Sequence, residues 1–357
     1  MKKIVLFSCF FISQLAFSQS DSTKLKILAY LDTYYAYDAS LPASRQRAYF
    51  VSSDRHNELS INIAALGAYY ETNRFRSKIL LGFGSYLNSN YAAEPQTLKN
   101  LLEAYVGIKL SKKTNMWLDV GVIGSPFSSE NAFSTQQTMY SRSFAPEYVP
   151  YYLSAIRLGV PLSKTLTWYA WITNGWQQIQ DVNPQKSFIS QLEFRPNTKF
   201  LFNWNLCVGS ENSQANPSYR TRYFFDIYAY YTLQKFSANA CFYIGNQKSM
   251  LLNSEEDLVW WQINLQAKYK LSQEWSIAGR LEYFDDPKSV QISSINPDTN
   301  GFSAGSFSLG LNYTITENLF LRFEGRNFFS NKAVFRDEQD NPKNMNQVMM
   351  SSLAFSF

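Results

Sequence analysis

Residues 351–357 read SSLAFSF. In an extended chain Leu353, Phe355 and Phe357 fall on one side, and Ser352, Ala354 and Ser356 on the other. Strict alternation of this kind marks a strand with one apolar and one wet face. The same period recurs along the chain. In ELSINIAALGAYY, Leu59, Ile61, Ile63, Ala65 and Tyr69 are expected on one face, with Glu58, Ser60, Asn62 and Ala64 on the other. NLLEAYVGIKL sets Ala104, Val106, Ile108 and Leu110 against Glu103, Tyr105, Gly107 and Lys109. FNWNLCVG sets Phe202, Trp204, Leu206 and Val208 against Asn203, Asn205 and Cys207. WSIAGRLEY and LFLRFEGR repeat the pattern, with Arg280, Glu282, Arg322, Glu324 and Arg326 on the wet face.

A soluble sandwich also alternates, so the links between strands carry the distinction. Tight links are expected at 71–74, 111–115, 161–165, 195–199, 233–235, 271–274 and 316–318. Longer ones are expected at 38–55, 88–98, 124–149, 176–186, 211–219, 247–256, 285–301 and 331–346. Seven short and eight long links join about 16 strands, the asymmetry of an outer-membrane barrel with short periplasmic turns and long extracellular loops. The fold class that follows is all-β: a transmembrane antiparallel up-and-down β-barrel with both termini periplasmic.

Composition agrees. Aromatic residues make up 17% of the chain, as do charged residues; the charged share of soluble domains is nearer about 25%. Mean hydropathy is only −0.27, because interleaved polar residues mask the apolar ones. Met1-Lys2-Lys3, an apolar run and Ala16-Phe17-Ser18 read as a signal peptide over 1–18, leaving a barrel domain over 19–357. Cys9 in LFSC is the alternative, a lipoprotein acceptor, with an apolar region of about five residues against the usual 7–15. Clustered aromatics near strand ends, among them Tyr34, Tyr35, Tyr37, Tyr69, Tyr70, Tyr151, Tyr152, Trp168, Trp176, Trp260, Trp261, Phe328 and Phe329, are expected to form two interfacial girdles. Net charge of +5 is too mild to argue for nucleic acid. Cys207 and Cys241 are expected as free thiols inside the barrel.

Six blocks in order, YLDTYYAYD (30–38), RHNELSINIA (55–64), EAYVGIKL (103–110), WLDVGVIGS (117–125), NGWQ (174–177) and RLEYFDDP (280–287), resemble the β-barrel porin family of OmpL-like type, found largely in Bacteroidetes-type Gram-negative bacteria. The resemblance covers nearly the whole mature chain. It implies an outer-membrane porin and supplies neither a substrate nor catalytic residues. The aromatic-terminated last strand also resembles the signal read by the barrel assembly machinery, with Phe355 and Phe357 as its key residues.

The chemistry-bearing residues give little reason to expect an enzyme or a cofactor. His56 is the sole histidine, so a Ser-His-Asp centre would have to use it; it is expected at the rim. The acidic runs Glu255-Glu256-Asp257 and 337–341 are expected in outside loops as solvated charge. The wet faces are expected to line a pore with Arg74, Arg76, Lys78, Lys109, Arg157, Arg222, Lys268, Arg280, Arg322 and Arg326, and with Asp32, Glu58, Glu103, Asp119, Glu193, Asp226, Glu282 and Glu324. Structural ion-pair networks are the other use for these charges. The loop over 124–150 is the longest and follows the fifth strand; it either folds inward, anchored by Phe127, Phe133, Tyr140 and Phe144, or stays outside for recognition. The expected function is a passive channel in the outer membrane for small hydrophilic solutes, with outer-membrane lipid as its surroundings and homo-oligomerisation left open. The alternative is a structural or adhesive barrel without an open pore.

Overall fold

The computed structural model describes residues 24–251 and 254–357, so the expected signal peptide lies outside the described residues. Sixteen strands form one closed antiparallel barrel. They are β1 (Lys24–Asp38), β2 (Leu59–Glu71), β3 (Phe75–Phe83), β4 (Leu101–Lys109), β5 (Trp117–Gly124), β6 (Tyr152–Pro161), β7 (Leu166–Thr173) and β8 (Ser187–Asn197), followed by β9 (Phe200–Ser210), β10 (Tyr219–Leu233), β11 (Phe236–Leu251), β12 (Ser254–Lys270), β13 (Trp275–Asp286), β14 (Phe302–Thr316), β15 (Leu319–Phe329) and β16 (Met345–Ser356). Each strand pairs with its sequence neighbours, and β16 returns to β1. That last seam runs from Tyr30 opposite Ser356 to Asp38 opposite Val348. Ala29 and Phe357 extend it by exchanging both backbone hydrogen bonds, at 3.1 and 2.8 Å. Closure satisfies every edge, which is what a sheet in hydrocarbon requires.

One end of the barrel carries only short turns. Several are built on a hydroxyl that accepts from the backbone two and three residues on, which tightens the reversal. Thr72 accepts from Arg74 and Phe75, Ser111 from Lys113 and Thr114, Ser163 from Thr165 and Leu166, and Ser272 from Glu274 and Trp275. The other end carries the long loops. The expected long link at 247–256 is a correction: β11 and β12 run on as a hairpin joined at 252–253, which lie outside the described residues. Lys248 ties its arms together, 3.2 Å from Glu255 and 2.8 Å from Asp257. The acidic run 255–257 therefore sits on a strand. A short helix, α1 (Ser85–Asn90), lies in the loop after β3, and a second, α2 (Phe144–Glu147), in the loop after β5.

Outward positions are apolar around the ring, including Leu66, Phe83, Leu281, Leu309 and Met349, all exposed. Exposed apolar surface on this scale is stable against lipid and not against water. Two sequence expectations change here. In β2 the register slips between Asp32 opposite Ile63 and Thr33 opposite Ile61. One extra residue at a β-bulge moves every later side chain to the other face. Leu59 and Ile61 accordingly face out, whereas Ile63 and Ala65 are buried inside and Leu66 is exposed. The aromatic pairs do not all join girdles either. Neighbours in a strand point to opposite faces, so Tyr34, Tyr152, Trp260 and Phe328 are buried within the barrel. Cys207 and Cys241 are buried free thiols on β9 and β11.

Candidate functional site

The loop of residues 125–151 does not leave the barrel: it folds into the lumen and is mostly buried there. The four aromatics expected to anchor it do so. Phe127 packs on Phe224, with ring centres 5.1 Å apart, and Phe133 on Tyr30 at 5.0 Å. Phe144 stacks on Phe50 at 5.4 Å and meets Phe284, Phe302 and Phe328; Tyr140 faces Tyr34 at 6.4 Å. Within the loop, Arg142 is fully buried and gives its guanidinium to the carbonyls of Asn131 (2.9 Å), Tyr140 (2.7 Å) and Ala132. Its five donors in a fixed fork suit three converging carbonyls, so it holds the loop in shape. Sequence reasoning missed this residue, because only the loop's length and aromatics stood out. Glu130 accepts from the Ser143 backbone and hydroxyl, and Glu147 from the Val51 backbone at 2.6 Å. Burial pushes both carboxyls above the usual carboxylate range.

Five of the charged residues expected on the pore wall point inward but lie beneath this loop. Arg280 is 3.2 Å from Glu282 and 3.0 Å from Glu324, and Arg326 also pairs with Glu282. Wall and loop hydroxyls take some of their remaining hydrogen-bonding capacity, as Ser308 does from Arg280 and Ser306 from Arg326, and loop backbone takes much of the rest. Ser141 N and Phe144 N donate to Glu324 (2.7 Å) and Glu282 (2.6 Å). Arg280 donates to the Ser141 carbonyl at 2.7 Å, Arg326 to that of Arg142 at 2.8 Å, and Arg322 to that of Ser134 at 2.6 Å. Asp32 is buried nearby, accepting from Asn62 at 3.0 Å. Asp226 accepts from Ser128 N at 3.2 Å and from Asn205 at 2.7 Å. Arg222 is covered too, with its guanidinium carbon 4.7 Å from the Trp176 ring centre.

The wall from β3 to β6 differs. Here Arg76 holds Asp119 with two nitrogens, at 2.7 and 2.8 Å, and Arg157 approaches the same carboxylate at 3.0 and 2.8 Å. Gly107 makes this possible. It lies between Arg76 and Asp119 across the strands, and a Cβ there would come within 2.1 Å of the Asp119 carboxylate. Lys78 pairs with Glu103 at 2.6 Å. Lys109 has no carboxylate partner among the described residues and lies 5.8 Å from the Trp117 ring centre. Between this wall and the loop is a cavity of about 250 Å³, lined by Lys78, Glu103, Asn131, Phe133 and Gln136 among others.

Four expected wall residues stand apart. Arg74 is exposed in the tight turn after β2, and Glu58 lies in the loop before β2, paired with Arg55 at 2.8 Å. Neither is on the barrel wall, because alternation was carried past the strand ends. Lys268 faces inward with no partner among the described residues, and Glu193 sits 3.7 Å from Arg195. His56 is buried in the loop after β1, where its Nδ1 accepts from the Asp38 backbone at 3.0 Å. Burial lowers its pKa, and the ring serves the loop's fold.

The family model described as "Putative beta-barrel porin-2, OmpL-like" matches residues 24–357. The chain belongs to this family. No curated protein matches the sequence significantly. Among solved structures, this OmpL-like barrel is similar to Salmonella typhi OmpF in complex with daunomycin, at 12% identity and a TM-score of 0.64, covering 94% of this chain and 98% of that one. It is similar to the anion-selective porin from Comamonas acidovorans at 9% identity and a TM-score of 0.63, covering 94% and 100%. Outer-membrane expressed OmpT of Vibrio cholerae aligns at 10% identity and a TM-score of 0.58, covering 95% and 99%. At such identities the likeness speaks for the fold.

Proposed function

We propose that the chain is an outer-membrane porin, a passive and non-enzymatic channel for small hydrophilic solutes, with the loop of 125–151 setting its width. The observation that carries this reading is the pairing of an apolar outer face with an inner face of charged and amide side chains in a closed ring of the OmpL-like family. A sixteen-strand ring is wide enough for an aqueous lumen once part of it is left unfilled. Residues 1–18 act in this reading as an export signal, with 19–357 as the barrel domain. The short turns face the periplasm, and the aromatic positions Phe355 and Phe357 serve recognition by the assembly machinery.

The test is conductance of folded protein in planar bilayers. Stepwise, ohmic channels are expected; their absence from correctly folded protein would overturn the channel. A specific observation favours that second reading, a structural barrel with recognition loops. Two aromatic clusters, around Phe144, Phe284 and Phe302 and around Tyr86, Tyr91 and Tyr152, fill much of the loop end. Topology is tested by cysteines introduced in a Cys207→Ser/Cys241→Ser background. Those within 285–301 should label from outside intact cells and those within 111–115 should not. The reverse pattern would invert the barrel.

A further inference from the structure

The clamp on the β3–β6 wall leaves part of each arginine unused. Arg76 and Arg157 spend Nε and Nη2 on Asp119, and Nη1 of both has no partner among the described residues. Each guanidinium is backed by a ring: Arg76 lies 4.4 Å from the Trp117 ring centre and Arg157 lies 5.0 Å from that of Trp171. Carboxylate and ring together fix two planar cations that would otherwise sample many rotamers, so little ordering remains to be done on binding. Both keep 19% of their side-chain surface exposed, while Asp119 keeps 1%. The acid is thus hidden and the cations face the lumen. Tyr105 and Tyr169 stand within electrostatic reach of both guanidiniums, and neither hydroxyl has a protein partner among the described residues. Lys109 adds an unpaired charge beside Trp117. Within the clamp itself, Arg76 and Arg157 against Asp119 leave one surplus positive charge, with Glu71 opposite Arg76 and Glu193 beside Tyr169 as the surrounding acids. The exposed residues of the facing loop, Asn131 and Gln136, add no further charge.

We propose that Arg76 and Arg157, held by Asp119 and flanked by Tyr105 and Tyr169, form an oxyanion-binding station in the lumen that takes the carboxylate or phosphate group of a small solute. Two outward guanidinium edges and two phenolic hydroxyls offer donors to an acceptor-only group, the complement such an anion needs. The station rests on the porin reading for its biological use but not for its existence. It makes the channel selective by retention of anionic solutes in transit, beyond a general bias of charge.

The experiment titrates folded, detergent-solubilised barrel with inorganic phosphate and, separately, with succinate. Tryptophan emission is the readout, because Trp117 and Trp171 lie under the two guanidiniums. Saturable change with at least one anion is expected, weakened tenfold or more in Arg157→Gln. That variant leaves Asp119 paired with Arg76, and heat-modifiable migration on gels checks that it folds. Saturation by phosphate alone or succinate alone supports the station and identifies the group it takes. No saturable change with either anion, or an unchanged response in Arg157→Gln, overturns it. Conductance measured on the same preparations separates the two readings. A conducting barrel without saturable binding removes the station and keeps the porin; saturable binding in a non-conducting barrel does the reverse.

Discussion

On the β13–β15 wall, Arg280 and Arg326 share Glu282, and neither arginine has any exposed side-chain surface. On the β3–β6 wall, Arg76 and Arg157 share Asp119, and each keeps 19% of its side chain open. The arginine–carboxylate–arginine arrangement is the same, with a glutamate in one and an aspartate in the other. What differs is the loop of 125–151, which bonds directly to one triad and stands off the other across a cavity. Under the loop, the charges satisfy its backbone groups, as when Glu282 and Glu324 receive the Phe144 and Ser141 amides. On the bare wall they retain donors for something else. The fate of a charged wall in a barrel is thus decided by what covers it, more than by the charges themselves.

The largest effect should come from removing the cover. Replacing residues 128–145 with a short Gly-Ser linker should raise single-channel conductance several-fold, since the segment occupies the lumen. Unchanged conductance would mean that the loop does not limit flow. The two triads should next separate in stability. Arg326→Met leaves a buried charge network short of a cation and should cost about 3–5 kcal/mol, read by urea unfolding in detergent. Arg157→Gln should cost about 1 kcal/mol, because its site is partly exposed and Asp119 keeps Arg76. Equal losses would erase the distinction between the walls. Between these values falls Gly107→Ala, which changes no charge but puts a methyl 2.1 Å from the Asp119 carboxylate. Overpacking of this kind costs about 1–3 kcal/mol, and it should disturb the bare wall while leaving the covered one intact.

Much of the ring was legible from alternation, because facing follows directly from a period of two. From Trp204 to Phe355, nearly every residue assigned to a face lies on it. The pattern failed where a local event broke the period without a compositional mark. The bulge in β2 turned Ile63 and Ala65 inward, and Asn62 looks no different in sequence from any other polar residue there. At 247–256 a long link was expected, but Lys248, Glu255 and Asp257 pair across the arms of a hairpin. The division of the charged residues into covered and bare sets was not readable at all. It depends on contacts such as Arg322 with Ser134, between segments far apart in sequence, and no period encodes them. Arg142 escaped notice for the same reason, since its partners are carbonyls that every residue possesses.

The seam between β1 and β16 also sets an order of events. β1 gains its second neighbour only from the most distant strand of the ring, so Tyr30 must wait for Ser356. Until then the sheet has two bare edges, each able to pair with a stranger. Contacts this remote are slow to form, and for that interval the molecule is an unfinished ribbon at risk of joining another like itself. A barrel that is secure once closed is therefore most vulnerable just before, and the time between its first strand and its last is when it most needs an escort.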